Sequence, residues 1–141
     1  VSCANAIIGM PDENRSLIFD TINFMRKLPE RIDATGAFIW APYHGTPLRD
    51  LAIKKGYIGK DVIASISNTT HSMLNMPSIS KEEITGLGKT FSYYVKFPKD
   101  RWNEIAIAEK NTAEGLKMHQ KLSNEFDEKY RFNTAQMPDL H

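Results

Sequence analysis

The chain has one cysteine, no long apolar run and no surplus of either charge among its 141 residues. A single cysteine, Cys3, cannot form an internal disulfide or a cysteine-rich metal site, and we expect it to be a small buried residue. Eighteen basic and seventeen acidic residues give a net charge of +1, which does not favour nucleic-acid binding. The longest mostly apolar stretch, residues 34–43, is far shorter than the roughly twenty residues of a membrane helix. We therefore predict a soluble, cytoplasmic protein with no nucleic-acid partner and no membrane span.

The start of the sequence predicts a piece of a longer protein. The chain opens on Val1, without a charged leader or a small-residue cleavage site, and soon enters the apolar residues 6–8. A secretory signal is therefore not supported. An exposed terminus is usually polar and frayed, so a chain that begins within a strand is expected to be a fragment.

Residues 1–60 alternate between strand and helix patterns. The predicted strands cover about 5–9 and 35–41, and the predicted helices about 13–28 and 47–55. Asp12 is the expected N-cap of the first helix, and Pro47 suits the first position of the second. Both strands are apolar on both faces, which is typical of a parallel sheet covered by helices. The sequence thus predicts an α/β fold.

Residues 61–132 are predicted to form a mostly helical extension, and residues 133–141 a loose tail. Ser80 with Glu83, and Asn111 with Glu114, have the spacing of capping boxes that begin helices. The last helix carries an apolar stripe, which consists of Leu116, His119, Leu122, Phe126 and Tyr130.

Few residues could carry chemistry by themselves. The four histidines are scattered and none has metal-ligand spacing with another ligand residue on a helix face, so no metal site is predicted. His119 lies on the apolar stripe and is expected to pack there. Residues 9–12 lack the spaced glycines of a phosphate-binding turn. Composition and periodicity therefore predict no catalytic residue and no reaction.

Two segments together resemble radical S-adenosylmethionine (SAM) enzymes. Residues 6–13 (AIIGMPDE) are similar to the apolar-Ile-Gly-x-Pro-x-Glu segment at the fifth strand of that family's partial barrel. Residues 42–48 (PYHGTPL) resemble its Pro-Tyr-Pro-Gly-Thr-x-Leu turn after the sixth strand, and here too a helix and a KKGYI segment follow. Residues 80–105 are similar to the extension of the branch that often carries a cobalamin-binding domain. The resemblance spans residues 4–132.

This resemblance implies a fold and a cofactor site. The fold would be the last two strand–helix units of a partial (β/α) barrel, followed by an α-helical C-terminal extension. The family's site would place Ile7 and Gly9, with Ala41 and Tyr43, against the adenine of SAM. Adenine presents a flat apolar face and a polar edge, which suits an aliphatic side chain beside exposed backbone. His44 stands where the family often has Pro, and it either faces substrate or is a solvent-exposed loop residue.

The departures from the family pattern limit the functional prediction. The family cleaves SAM with a 4Fe–4S cluster held by three cysteines, and this chain has one. The resemblance implies that the parent protein is a radical SAM enzyme that binds SAM, the cluster and possibly cobalamin, and acts on a small-molecule substrate. The chain alone is expected to bind none of these cofactors and to be inactive. Its partner would be the missing N-terminal barrel of the same polypeptide, with or without a cobalamin domain.

A second hypothesis remains open from the residues alone. The chain could be a non-catalytic α/β-plus-helix module that packs against a partner, because it has no catalytic constellation. An orphaned strand edge at residues 5–9 would favour the enzyme fragment, and a cooperatively folded monomer would favour the module.

Overall fold

The computed structural model describes residues 2–29, 32–64 and 70–130. These contain two strands and five α-helices, with a 3₁₀ turn at Lys99–Arg101 immediately before the fourth helix. The elements in chain order are β1 (Ser2–Ile8), α1 (Arg15–Met25), β2 (Ile32–Ile39), α2 (Pro47–Lys54), α3 (Lys81–Lys96), α4 (Trp102–Ala108) and α5 (Ala113–Lys129). The predicted α/β class is confirmed. No helix in the described ranges is long and apolar enough to cross a membrane.

β1 and β2 pair in parallel, joined by α1. Ala6, Ile7 and Ile8 lie beside Ala37, Phe38 and Ile39 respectively, and an irregularity in register falls between Cys3 and Asn5. Because side chains alternate along a strand, one sheet face carries Ala6, Ala37 and the two isoleucines at positions 8 and 39. Both of these isoleucines are buried in the core, so this face is the covered one.

The opposite face of the sheet is open, which corrects the prediction that both faces are buried. Ile7 is 54% exposed and its neighbour Phe38 is 53% exposed. Cys3, expected to be buried, is also exposed. The apolar character of these strands indicated a covered sheet, but α1 and α3 cover only one side of it. We call Ile7, Phe38 and the surface between them the open sheet face.

The ends of the first helix differ from those predicted. Asn14, and not Asp12, is the N-cap, and its side chain accepts a hydrogen bond from the Leu17 N–H. Asp12 instead occupies a turn with a φ of 66°. The helix ends at Met25, and Arg26 is its C-cap, with the Arg26 N–H still bonded to the Ile22 carbonyl. The Arg26 side chain donates from Nη1 to the carbonyls at the end of α3, namely those of Tyr94, Val95 and Phe97.

α3 is the central helix of the core. Ser80 caps it as predicted, since its hydroxyl accepts a hydrogen bond from the Glu83 N–H at 3.1 Å. Gly88 lets the helix approach β2, because a Cβ there would lie 3.2 Å from Ile39 Cδ1. The sheet and the helical extension consequently share one apolar core.

α4 and α5 pack at the far side of α3. The N-cap of α5 is Thr112, one residue after the predicted Asn111, and its hydroxyl accepts from the Gly115 N–H. Leu122 is buried as the stripe predicted, whereas Leu116 is 56% exposed. His119 does pack, with its ring 5.4 Å from that of Tyr93, and burial lowers its pKa. The predicted tail at 133–141 lies outside the described residues.

Candidate functional site

The candidate site lies where the two parallel strands end. β1 ends at Ile8 and β2 at Ile39, and the next N–H, that of Trp40, donates to the Ile8 carbonyl at 2.8 Å. Because the strands are parallel, the loops that follow them leave from the same edge of the sheet. Binding sites of parallel α/β folds gather at this edge.

The loop after β1 is a tight turn closed by a buried carboxylate. The N–H groups of Gly9 and Met10 both donate to Glu13 Oε2, and the Glu13 N–H donates back to the Met10 carbonyl at 3.1 Å. Gly9 has a φ of +80°, which favours glycine. A Cβ there would also lie 3.0 Å from Ile84 Cγ2, so the Ile84 side chain would have to shift. Burial raises the pKa of Glu13, against the lowering effect of the two backbone donors.

Asp12 fastens the same loop to the end of α2. Its carboxylate accepts hydrogen bonds from the Lys55 ammonium and, at 2.6 Å, from the Tyr57 hydroxyl. These contacts lower the pKa of Asp12, the Lys55 hydrogen bond most strongly. The KKGYI segment after α2 therefore has a structural role, because it supplies both partners of Asp12.

The loop after β2 is held by a buried guanidinium. Arg49 on α2 donates to the Pro42 carbonyl at 2.7 Å and to the carbonyls of Val62 and Lys60 at 2.6 and 3.1 Å. The Thr46 hydroxyl donates to the Tyr43 carbonyl at 2.8 Å. Both loops of the candidate site are thus fixed by charged side chains that bind backbone groups.

The residues predicted for the SAM site differ in solvent exposure. Ile7 presents its side chain on the open sheet face, and Tyr43 is 43% exposed in the loop after β2. Gly9 and Ala41 are buried, and the Gly9 N–H already donates to Glu13. His44 is exposed.

Three residues that matter to this site were not predicted to belong to it. Phe38 stands beside Ile7 in the strand register, and the alternation of side chains along a strand, which places it on the face opposite to its chain neighbour Ile39, was the signal for its position. Glu13 is part of the segment that carries the resemblance, but its contact with the Gly9 N–H could not be deduced from sequence. Arg49, in the middle of a short helix, resembles an ordinary surface charge.

Comparison of the chain with known protein families, with curated protein sequences and with solved structures finds no significant match to any of them. In the parts of the chain that the structure describes, no three His, Cys, Asp or Glu residues lie together as a metal site would require. The features on which a functional assignment can rest are therefore the loop geometry, the open sheet face and the sequence resemblance.

Proposed function

We propose that the chain is the C-terminal part of a radical SAM enzyme, in which it forms the last barrel strands, one wall of the adenine pocket and a helical cover. The observation that carries this proposal is the open sheet face. Ile7 and Phe38 lie side by side, both more than half exposed, on the side of the sheet that faces away from α1 and α3. In a barrel of parallel strands with helices outside, this side is the interior.

The candidate residues suit an adenine in two different ways. Ile7 and Tyr43 would offer side-chain surface to the flat base, since both are exposed at the strand ends. Gly9 and Ala41 would lie beneath these side chains and support the pocket, since both are buried as whole residues and the Gly9 N–H already donates to Glu13. His44, which follows Tyr43 and is exposed, would face the substrate.

The iron–sulfur cluster does not fit this chain alone. A site for it needs three thiolates, and Cys3 is the one cysteine in the sequence. Upstream sequence of the parent would hold the cluster, which supplies the electron that cleaves SAM. The 141 residues by themselves would neither bind the cluster nor cleave SAM. Cobalamin, a small-molecule substrate and a cytoplasmic location belong to the same proposal, and the first rests on the resemblance of residues 80–105.

The first test is the coding sequence upstream of Val1. We expect an in-frame Cys-x-x-x-Cys-x-x-Cys segment at about a barrel's length before β1. A start codon close to Val1 with no such segment would contradict the enzyme assignment and favour the non-catalytic module.

The second test measures SAM binding by the complete parent protein. Replacing Ile7 with Asn is expected to weaken SAM binding about tenfold, because a polar amide would face the base in place of an apolar surface. Leu116→Asn is the matched control, since it changes an equally exposed apolar residue on α5. Equal effects of the two substitutions on the SAM dissociation constant would refute the proposed pocket.

A further inference from the structure

A cavity lies away from the open sheet face, along the first half of α3. Its volume is about 740 Å³, and its walls are the first half of α3, the end of α4 with the residues after it, and the loop at His71 and Ser72. This volume falls within the range of sites for small organic ligands, about 300–1,000 Å³. Among the described residues, none of the cavity lining belongs to β1 or β2.

The cavity is lined by lysines that have no acidic partner. Lys81 and Lys89 lie two turns apart on α3, on the same helix face, and Lys110 follows α4 on the opposite wall. Within the described ranges, none of the three forms an ion pair. Three lysines thus contribute to the lining of one concave surface, and none of them is held in an ion pair within the described ranges.

Two of the three acidic residues of the same lining share one guanidinium, that of Arg15. Glu109 accepts two hydrogen bonds from the Arg15 guanidinium, both at 2.8 Å, and one from the Tyr94 hydroxyl. Glu83 lies 3.7 Å from the same guanidinium. Glu82 is the one acidic group of the described lining without an ion-pair partner. The charged groups of the described lining are consequently four positive (Arg15, Lys81, Lys89 and Lys110) and three negative (Glu82, Glu83 and Glu109), which leaves a net charge of +1.

The elements that line the cavity are closely packed against one another. Gly86 brings α3 so close to α4 that a Cβ on it would lie 2.6 Å from the Glu109 carbonyl oxygen. The two-point contact between Arg15 and Glu109 ties α1 to the end of α4. When a ligand binds to a preformed cavity, little conformational entropy is lost in ordering the cavity walls.

We propose that this cavity binds a small organic polyanion, anchored by Lys81, Lys89 and Lys110. The chemistry shared by its possible ligands is two or more negative oxygen groups, carried as phosphates or as carboxylates, to which three ammonium groups donate charge-assisted hydrogen bonds. The site is independent of the proposed adenine pocket, because the two use different walls of the molecule.

The test is a calorimetric titration of the 141-residue chain with pyrophosphate and, separately, with citrate. We expect saturable binding of at least one probe with a dissociation constant of about 1 mM or lower, and the tighter probe distinguishes a phosphate ligand from a carboxylate ligand. Lys89→Gln should weaken that binding about threefold, and Glu82→Gln should strengthen it by a similar factor, as expected for partly exposed charges.

Lys117→Gln is the matched control, because Lys117 is exposed on α5 and lies outside the cavity lining. It should leave the dissociation constant unchanged. The proposal is overturned if neither probe binds saturably in this range. It is also overturned if Lys117→Gln weakens binding as much as Lys89→Gln, since binding would then reflect general surface charge.

Discussion

Glu13 and Arg49 are buried charged residues that satisfy backbone groups rather than an opposite charge. Glu13 accepts from two N–H groups of its own turn, and Arg49 donates to carbonyls from two separate loops. Neither contact could be predicted from sequence, because each depends on where the backbone of a loop passes. Gly9 was recognisable from sequence as a loop residue. That the Glu13 carboxylate would close the same loop by accepting hydrogen bonds from its backbone was not.

The contacts of Glu13 predict opposite outcomes for two substitutions. Glu13→Ala removes the acceptor of two N–H groups and should lower the free energy of unfolding by about 1–3 kcal/mol. Glu13→Gln keeps a side-chain oxygen as acceptor and removes the cost of burying a charge, so it should match or exceed the wild-type stability at neutral pH. Urea unfolding of both variants provides the measurement.

The pH dependence of the free energy of unfolding tests whether burial of the Glu13 carboxylate is costly. Because burial raises the pKa of Glu13 above its ordinary value of 4.5, the folded protein holds this proton more tightly than the unfolded chain. Its stabilising contribution is therefore complete below about pH 4.5 and is lost as the pH rises through the raised pKa. The stability of wild type relative to Glu13→Gln should accordingly fall as the pH rises above about 4.5. A constant difference would contradict the role of burial.

At the scale of elements, α3 connects the two halves of the chain. Its cap was predictable, because the spacing of Ser80 and Glu83 is local in the sequence. Two glycines inside the helix, Gly86 and Gly88, would ordinarily weaken it. The structure gives each a packing reason, since Gly86 faces α4 and Gly88 faces β2, and such long-range contacts have no local signature.

The two glycines are expected to respond differently to alanine. At Gly86 a new Cβ would lie 2.6 Å from a backbone oxygen, so α3 and α4 must separate. The resulting strain should exceed the gain of about 1 kcal/mol in helix propensity and destabilise the protein by about 1–3 kcal/mol.

At Gly88 the new Cβ would meet only the end of the Ile39 side chain, at 3.2 Å, which can shift slightly. Gly88→Ala should therefore stay within about 1 kcal/mol of wild type, because helix propensity offsets the closer contact. Thermal unfolding of the two variants checks this pair. Equal destabilisation at both positions would show that α4 is not packed against α3 as described.

At the scale of the whole molecule, the sheet is covered on one side. The strand–helix–strand order was sufficient to predict a parallel α/β layer, and the apolar strands were sufficient to predict that both faces need cover. What supplies the second cover does not lie within the described part of the chain. The prediction that both faces are buried is therefore wrong for the described residues, because strands that are apolar on both faces do not show which face is covered. The exposure of Ile7 and Phe38 had to be seen in the structure.

This exposure predicts that the isolated chain self-associates through the open sheet face. Ile7 and Phe38 expose adjoining apolar surface to water, which is unfavourable. Packing this face against a second copy of the chain would bury that surface and stabilise the dimer. Sedimentation velocity of the wild-type chain should show concentration-dependent oligomers, and the double substitution of Ile7 and Phe38 by Lys should give a monomer. Leu116→Lys, which changes an exposed apolar residue on α5, should leave the oligomers in place. A wild-type chain that sediments as a monomer and melts cooperatively would argue against missing barrel strands and for a self-sufficient module, because no second cover would then be needed.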